Sequence, residues 1–237
     1  MGAARGRGAK IGLVVGWLAL VPVSAAWQAA PEDSQDASSG GRVLDRVVAV
    51  IGNQVLTLSE LEFETRVALV LRGGVRAAEA SLDEQTLRGA LELAINQRLL
   101  VAGADRLQAF PAERSEVEGR LKAFRERFED ETALLAFLAR HDADLEQLSA
   151  VLERGVRAER ILDSRVRLRA QVGEAEVRRY WEEHKAVLGG PYESVREALK
   201  EKLFRERYSQ LAKEEFAQVR AGAKVRRVAP FAREAPQ

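Results

Sequence analysis

The chain has 237 residues, of which 46% are hydrophobic and 31% charged, enough for one domain with a sizeable core. Its 37 basic and 36 acidic residues are interspersed, so the sequence lacks the concentrated basic face that a nucleic-acid partner requires. It has no cysteine, which excludes disulfides, thiolate metal sites, a cysteine nucleophile and a lipid-modified N-terminus.

The first 26 residues have the pattern of a secretory signal peptide. Basic residues up to Lys10 precede an apolar run over residues 11–21, and small residues then suit cleavage after Ala25 or Ala26. A membrane anchor is the alternative, but this run is short for a bilayer core that needs about 20 apolar residues. We therefore expect a periplasmic protein without stable membrane insertion.

Residues 27–41 are small and polar, which predicts a disordered linker before a domain that starts at Arg42. A β-hairpin is predicted next, because a β-branched run is followed by a glycine turn and a second apolar run. Its parts are Val47-Val48-Ala49-Val50-Ile51, the turn Gly52-Asn53, and Gln54-Val55-Leu56.

Two capping boxes predict the first two helices. Thr57 and Glu60 open a helix that Arg72-Gly73-Gly74 closes, and Ser81 and Glu84 open the second. The second helix carries a core stripe at four-residue spacing, which makes it the central helix of the domain. The stripe comprises Leu87, Leu91, Ile95, Leu99 and Ala102.

Five more helices follow in the pattern of apolar residues. The third begins after Pro111 and includes Phe124 and Phe128, and a short fourth includes Leu134 and Phe137 and ends near His141. The others are predicted over residues 145–168, from about residue 172 to Gly189-Gly190-Pro191, and over residues 192–220.

The last predicted element is a strand over residues 223–228, followed by a flexible tail over residues 229–237. A lone hairpin is barely stable and a lone strand has no partner, so we expect the two to pair. The predicted fold is therefore mainly α, with a small antiparallel sheet formed by the N-terminal hairpin and the C-terminal strand.

Three segments of this pattern resemble the SurA family of periplasmic chaperones and its PpiD-like relatives. They are DRVVAVIGNQVLTLSELE (45–62), ALELAINQRLLVAGADRLQ (90–108) and VGEAEVRRYWEEHKAVL (172–188). The resemblance covers residues 42–228 and implies a helical chaperone core. It further implies that the segment at 172–188 leads toward a parvulin-type prolyl isomerase domain and that the last helix and strand return from it.

The chain departs from that family at one place. The isomerase domain, about a hundred residues in the resembling family, would lie between Leu188 and Tyr192, where this sequence has only Gly189-Gly190-Pro191. The family's catalytic activity therefore does not carry over.

The residues themselves indicate no catalytic centre. The two histidines, His141 and His184, lie at a helix end and on a polar helix face, and adjacent carboxylates on a helix point in different directions. Neither a glycine-rich nucleotide loop nor a convergent metal-ligand set is present in the sequence. We expect no enzyme activity, no metal and no cofactor.

Apolar surface is the remaining candidate for function. Two short successive helices concentrate apolar side chains that either pack internally or line a groove for a client polypeptide. These residues are Phe124, Phe128, Leu134, Phe137 and Leu138. The sequence predicts an ATP-independent holdase for unfolded exported or outer-membrane polypeptides. The alternatives are an assembly factor for one dedicated envelope partner and a reduced prolyl isomerase.

Overall fold

The computed structural model describes residues 45–232. The predicted signal peptide over residues 1–26 and the predicted linker over residues 27–41 lie outside the described residues. So do the first three residues of the predicted domain and the segment from residue 233 onward.

The N-terminal hairpin forms as predicted. Strand β1 (Val47–Ile51) pairs antiparallel with strand β2 (Gln54–Thr57), with Val50 opposite Val55. Gly52 adopts a positive φ of 59° in the turn, a backbone conformation that residues with a side chain rarely take. Asn53, the other turn residue, does not share this conformation.

The C-terminal strand closes the sheet, which confirms the prediction that the two ends of the domain meet. Strand β3 (Val225–Arg227) pairs antiparallel with the other side of β1, giving the order β2-β1-β3. The N–H of Gly52 donates to the carbonyl of Lys224 at 2.8 Å, and the N–H of Val228 donates to the carbonyl of Val48 at the same distance. Strand β1 is thus the central strand of the sheet.

The remaining elements of the described residues are helical, in agreement with the predicted mainly α fold class. The α-helices are α1 (Leu58–Leu71), α2 (Val75–Glu79), α3 (Glu84–Arg106), α4 (Arg114–Arg125), α5 (Glu131–Arg140), α6 (Leu145–Val166), α7 (Glu174–Leu188) and α8 (Tyr192–Ala221). The short helix α2 was not predicted, because five residues are too few to show a helical period.

Side chains fix the first turns of several helices. At the start of α1, Thr57 and Glu60 form the predicted capping box, in which the N–H of Thr57 donates to Glu60 at 3.0 Å. The predicted box of Ser81 with Glu84 is wrong: Asp83 caps α3 and accepts the N–H of Thr86 at 2.7 Å. The helix therefore starts after Asp83, whose carboxylate binds the free N–H groups of its first turn.

Helix α4 is shorter than predicted at both ends. It begins at Arg114, so Pro111 precedes the helix and does not lie in its first turn. It ends at Arg125, and Phe128 lies in the turn that leads to α5. Asp130 caps α5 by accepting the N–H of Ala133 at 2.8 Å, which fixes where the next helix starts.

Two hydrophobic clusters form much of the interior. The first joins the sheet to α3 through Val48, Leu56, Leu91 and Ile95, all fully buried. The second joins α1, α2, α4, α5 and α6 around the predicted phenylalanines. A buried ion pair links the helices, because Arg98 of α3 binds Glu64 of α1 at 2.6 Å and Arg154 of α6 binds the same carboxylate.

Ala229 and Phe231 pack into the first cluster, which corrects the predicted start of a flexible tail at Ala229. Ala229 is 2% exposed and Phe231, in a 3-10 helix (Pro230–Ala232), is 8% exposed. The neighbouring strand is held by Arg227, which donates two hydrogen bonds of 2.8 and 2.9 Å to Glu92 of α3. An apolar aromatic residue four positions after the last strand was the sequence signal for this docking.

Candidate polypeptide-binding surfaces

The structure brings the five predicted binding residues together. The rings of Phe124, Phe128 and Phe137, which we call the phenylalanine cluster, have centroids 5.2 to 6.3 Å apart. Leu134 and Leu138 of α5 pack against the same cluster of helices. Their proximity follows from the capped turn between α4 and α5, which folds the two helices onto one another.

Burial determines what these side chains can do. Phe124, Leu134 and Phe137 are fully buried and Leu138 is 1% exposed, while Phe128 is partly buried. Internal packing, the alternative noted from the sequence, therefore describes their state in this conformation. A client could reach them only if α5 moved away.

A second apolar surface lies on helix α7 and residues 192–207 of α8, which we call the arm. The two helices are joined by Gly189 and Gly190, whose positive φ angles of 60° and 79° allow the chain to turn back within three residues. Among the described residues, the ion pairs of α7 are made with α8, through Glu174 to Arg196 and Glu176 to Arg207.

The apolar residues of the arm are less deeply buried than those of the body. In α7 only Val177 is buried, and Val187 near the tip is 89% exposed. Tyr192 and Leu199 of α8 are also buried, at 6% and 4% exposure. The other larger apolar side chains of the pair are only partly covered by the described residues. They are Tyr180, Trp181, Leu188, Val195, Leu203 and Phe204.

The rest of α8 anchors the arm to the body. The hydroxyl of Tyr208 donates to Asp163 of α6 at 2.7 Å, and burial together with this hydrogen bond raises the pKa of Tyr208. Further along, Arg220 donates to Asn96 of α3 at 2.7 Å. Helix α8 is thus packed on the body in its second half and on α7 in its first.

Cationic side chains lie beside aromatic rings at two places on the arm. The Arg178 guanidinium lies 4.5 Å from the centre of the Tyr192 ring, and Lys202 donates to the hydroxyl of Tyr180 at 2.6 Å. This hydrogen bond raises the pKa of Lys202, so the ammonium remains charged at neutral pH. The indole N–H of Trp181 is buried without a hydrogen-bond partner among the described residues.

The sequence contains a signal for the arm besides the five apolar residues considered as a client site. All three tyrosines, Tyr180, Tyr192 and Tyr208, lie in α7 and α8, and Trp181 is the only tryptophan in the described part of the chain. Tyr and Trp combine a large apolar area with a polar group, which suits partly wet binding surfaces. Their concentration on two helices could have marked this surface.

The chemistry available elsewhere is limited. Residues 45–232 contain no group of three or more His, Cys, Asp or Glu side chains that could hold a metal ion. His184 is exposed, with Nδ1 2.8 Å from the carbonyl of Tyr180, and His141 lies against Phe137 at the end of α5. Within the same residues, no helix has the length and apolar character needed to cross a bilayer.

Comparison with known proteins adds no family assignment. No protein-family profile matches the sequence, and a search of curated proteins gives no match. The function must therefore be argued from the surfaces described above.

Proposed function

We propose that this protein is an ATP-independent periplasmic chaperone that holds unfolded exported polypeptides, including outer-membrane proteins, and that the arm is its client-binding surface. The observation that carries the proposal is the partial exposure of the apolar and aromatic side chains along α7 and α8. Such a surface gains free energy by covering apolar area on another chain.

The chemistry of the arm favours a polypeptide partner without a fixed sequence. Aromatic rings supply contact area with few rotatable bonds, and long Arg and Lys side chains can adapt to carbonyl or carboxylate groups. Binding dominated by apolar area tolerates many sequences. The resemblance of residues 42–228 to the SurA core supports the same function and the periplasmic location.

The test is an aggregation assay with a chemically unfolded β-barrel protein, without nucleotide. We expect the mature protein to suppress aggregation with micromolar affinity, which corresponds to about 8 kcal/mol of binding free energy and allows unaided release. Trp181→Ser and Val187→Ser should each weaken binding severalfold without loss of helical content, because neither side chain belongs to the buried core of the body.

Leu107→Ser is the matched control. Leu107 is 74% exposed at the end of α3, outside the arm, and its replacement should leave client binding unchanged. If all three variants bind clients like the unmodified protein, the arm is not the binding surface. If no unfolded client is protected and one folded envelope protein binds tightly, the protein is a dedicated assembly factor and the holdase proposal is wrong.

A further inference from the structure

Helix α5 covers the phenylalanine cluster and ends in a histidine. The helix contributes Leu134, Phe137 and Leu138 to the buried side of the cluster and leaves Leu135 47% exposed on the other side. His141 is its C-cap, and the imidazole meets the Phe137 ring edge-on with centroids 4.9 Å apart. A movement of α5 away from the cluster would therefore also move His141.

The surroundings of His141 suit the neutral imidazole and not the cation. Its Nε2 is buried and has no hydrogen-bond partner among the described residues. Protonation would require an acceptor there, because a buried donor without a hydrogen-bond partner is destabilising.

The charged groups that act on His141 lie on α1, α2, α5 and the turn after α5. Arg66 of α1 and Arg140 of α5 disfavour a third positive charge, whereas Glu79 of α2 and the adjacent Asp142 favour it. Glu79 is partly committed elsewhere, because it binds Arg140 at 2.5 Å. Burial, followed by the two guanidinium groups, lowers the pKa of His141 below its ordinary 6.5.

Two further features define the surroundings of the C-terminal end of α5. Arg66 is 9% exposed and donates to the carbonyls of Ala78 and Ala80, which fixes α2 beside the end of α5. On the other side of His141, Asp142 takes a positive φ of 49° where the chain leaves the helix. Asp is among the few non-glycine residues that adopt this conformation readily, and here it marks the point where the chain turns away from α5.

We infer that His141 is an acid-sensitive latch that holds α5 over the phenylalanine cluster when neutral and releases it when protonated. Once α5 lifts, water hydrates the imidazole. Neither the burial of Nε2 nor the neighbouring guanidinium groups then oppose its protonation. Acid therefore stabilises the open form relative to the closed one. Phe137 and Leu138 leave the cluster with the helix, and Phe124 becomes accessible.

The direction of the pH dependence follows from linkage. Since the closed form has the lower pKa, the open form binds the proton more tightly, and opening increases as the pH falls through 6.5. The increase levels off below the pKa of the closed form. The total increase in opening is tenfold for each unit by which the pKa of His141 in the closed form lies below its pKa in the open, hydrated form.

The experiment measures amide hydrogen exchange of residues 131–140 in the complete mature protein between pH 7.5 and 5, corrected for intrinsic exchange. Opening of α5 should increase on acidification, and His141→Gln should abolish the increase because Gln stays neutral. The matched control is His184→Gln, since the chain has only two histidines and His184 lies exposed on α7. This control should retain the full pH dependence.

A proton NMR titration gives a second measurement if His141→Gln fails to fold. In His184→Gln the remaining histidine resonance belongs to His141, and it should titrate below 6.5 by an amount that accounts for the fold-change in exchange. A midpoint at or above 6.5, or an unchanged pH dependence in His141→Gln, overturns the inference. Because no client is present, this result is independent of the proposed chaperone function.

Discussion

Phe137 packs against both other rings of the phenylalanine cluster, with centroids 6.3 Å from Phe124 and 5.2 Å from Phe128. It is fully buried, so it contributes apolar burial and aromatic contacts at the same time. The latch inferred above depends on this packing. The contribution of the Phe137 ring to the free energy of unfolding can be measured directly.

Phe137→Ala should lower the free energy of unfolding by about 3–5 kcal/mol, because it removes a buried ring and leaves a cavity. Leu135→Ala on the same helix is the control: Leu135 is 47% exposed, and its loss should cost less than about 1 kcal/mol. Urea unfolding of both variants checks the difference. Equal losses would mean that the ring lies outside the folded core.

Asp45 gives a residue-level prediction for pH. Burial would raise the pKa of its carboxyl, but hydrogen bonds led by that from the Ser59 hydroxyl at 2.5 Å lower it to about 2. The unfolded value of 3.8 is higher, so the stabilisation is present above pH 3.8 and is lost as the pH falls toward 2.

Asp45→Asn should therefore destabilise the protein at pH 7, and the difference from the unmodified protein should shrink between pH 4 and pH 2. Denaturant unfolding at several pH values gives this difference, and a double-mutant cycle with Ser59→Ala isolates the contact. The Asp45 assignment would be contradicted by a difference that stays constant over this range.

The residue scale is also where the sequence was least informative. Phe124 and Phe137 were identified as unusual because they are large and apolar, but one sequence does not tell whether such a residue faces the core or a partner. The helical stripe of α3 avoided this ambiguity, because Leu87, Leu91 and Ile95 recur at four-residue spacing on a long helix and all are buried.

At the scale of elements, the order of the helices and strands was predictable because each has local signals. Thr57 with Glu60 and the turn at Gly52 worked as predicted, since their partners lie within three residues. Asp83 displaced the predicted cap at Ser81 because two residues compete for the same N–H groups and the sequence does not rank them. The docking of Phe231 was missed because its partners are distant in the sequence.

Truncation after Arg220 tests how the C-terminal elements contribute. It removes β3, whose ladder hydrogen bonds are worth about 1 kcal/mol each, and Phe231, whose burial is worth about 3–5 kcal/mol. We expect a large fall in melting temperature and exposure of one edge of β1. A truncated chain that melts with the full protein would show that the ends of the domain are not energetically coupled.

Phe231→Ala separates the two contributions, since it keeps β3 and removes only the docked ring. It should account for part of the loss measured on truncation. A chain that ends at residue 232 keeps both features and serves as the control, with an expected melting temperature equal to that of the full protein.

For the whole molecule, the sheet joins the two ends of the domain and the helices lie between them in sequence. The pairing of β3 with β1 was predictable from the need of each for a partner. The arm was marked only by the concentration of Tyr and Trp in α7 and α8, and its exposure was not predictable because it depends on which helices pack on the body. The tip of the arm is the turn at Gly189, the place where the family that residues 42–228 resemble would have its isomerase domain. The absence of that segment leads to a prediction about activity.

The mature protein should not accelerate cis/trans isomerisation of a proline-containing peptide. The uncatalysed barrier is about 20 kcal/mol, and a catalyst needs a pocket that holds the twisted peptide bond. Between α7 and α8 the chain has three residues, Gly189, Gly190 and Pro191, which are too few to form such a pocket. A protease-coupled isomerisation assay measures the rate, with an active parvulin as the positive control. Acceleration that co-purifies with the protein and disappears with Trp181→Ser would place an isomerase site on the arm and contradict a purely holding function.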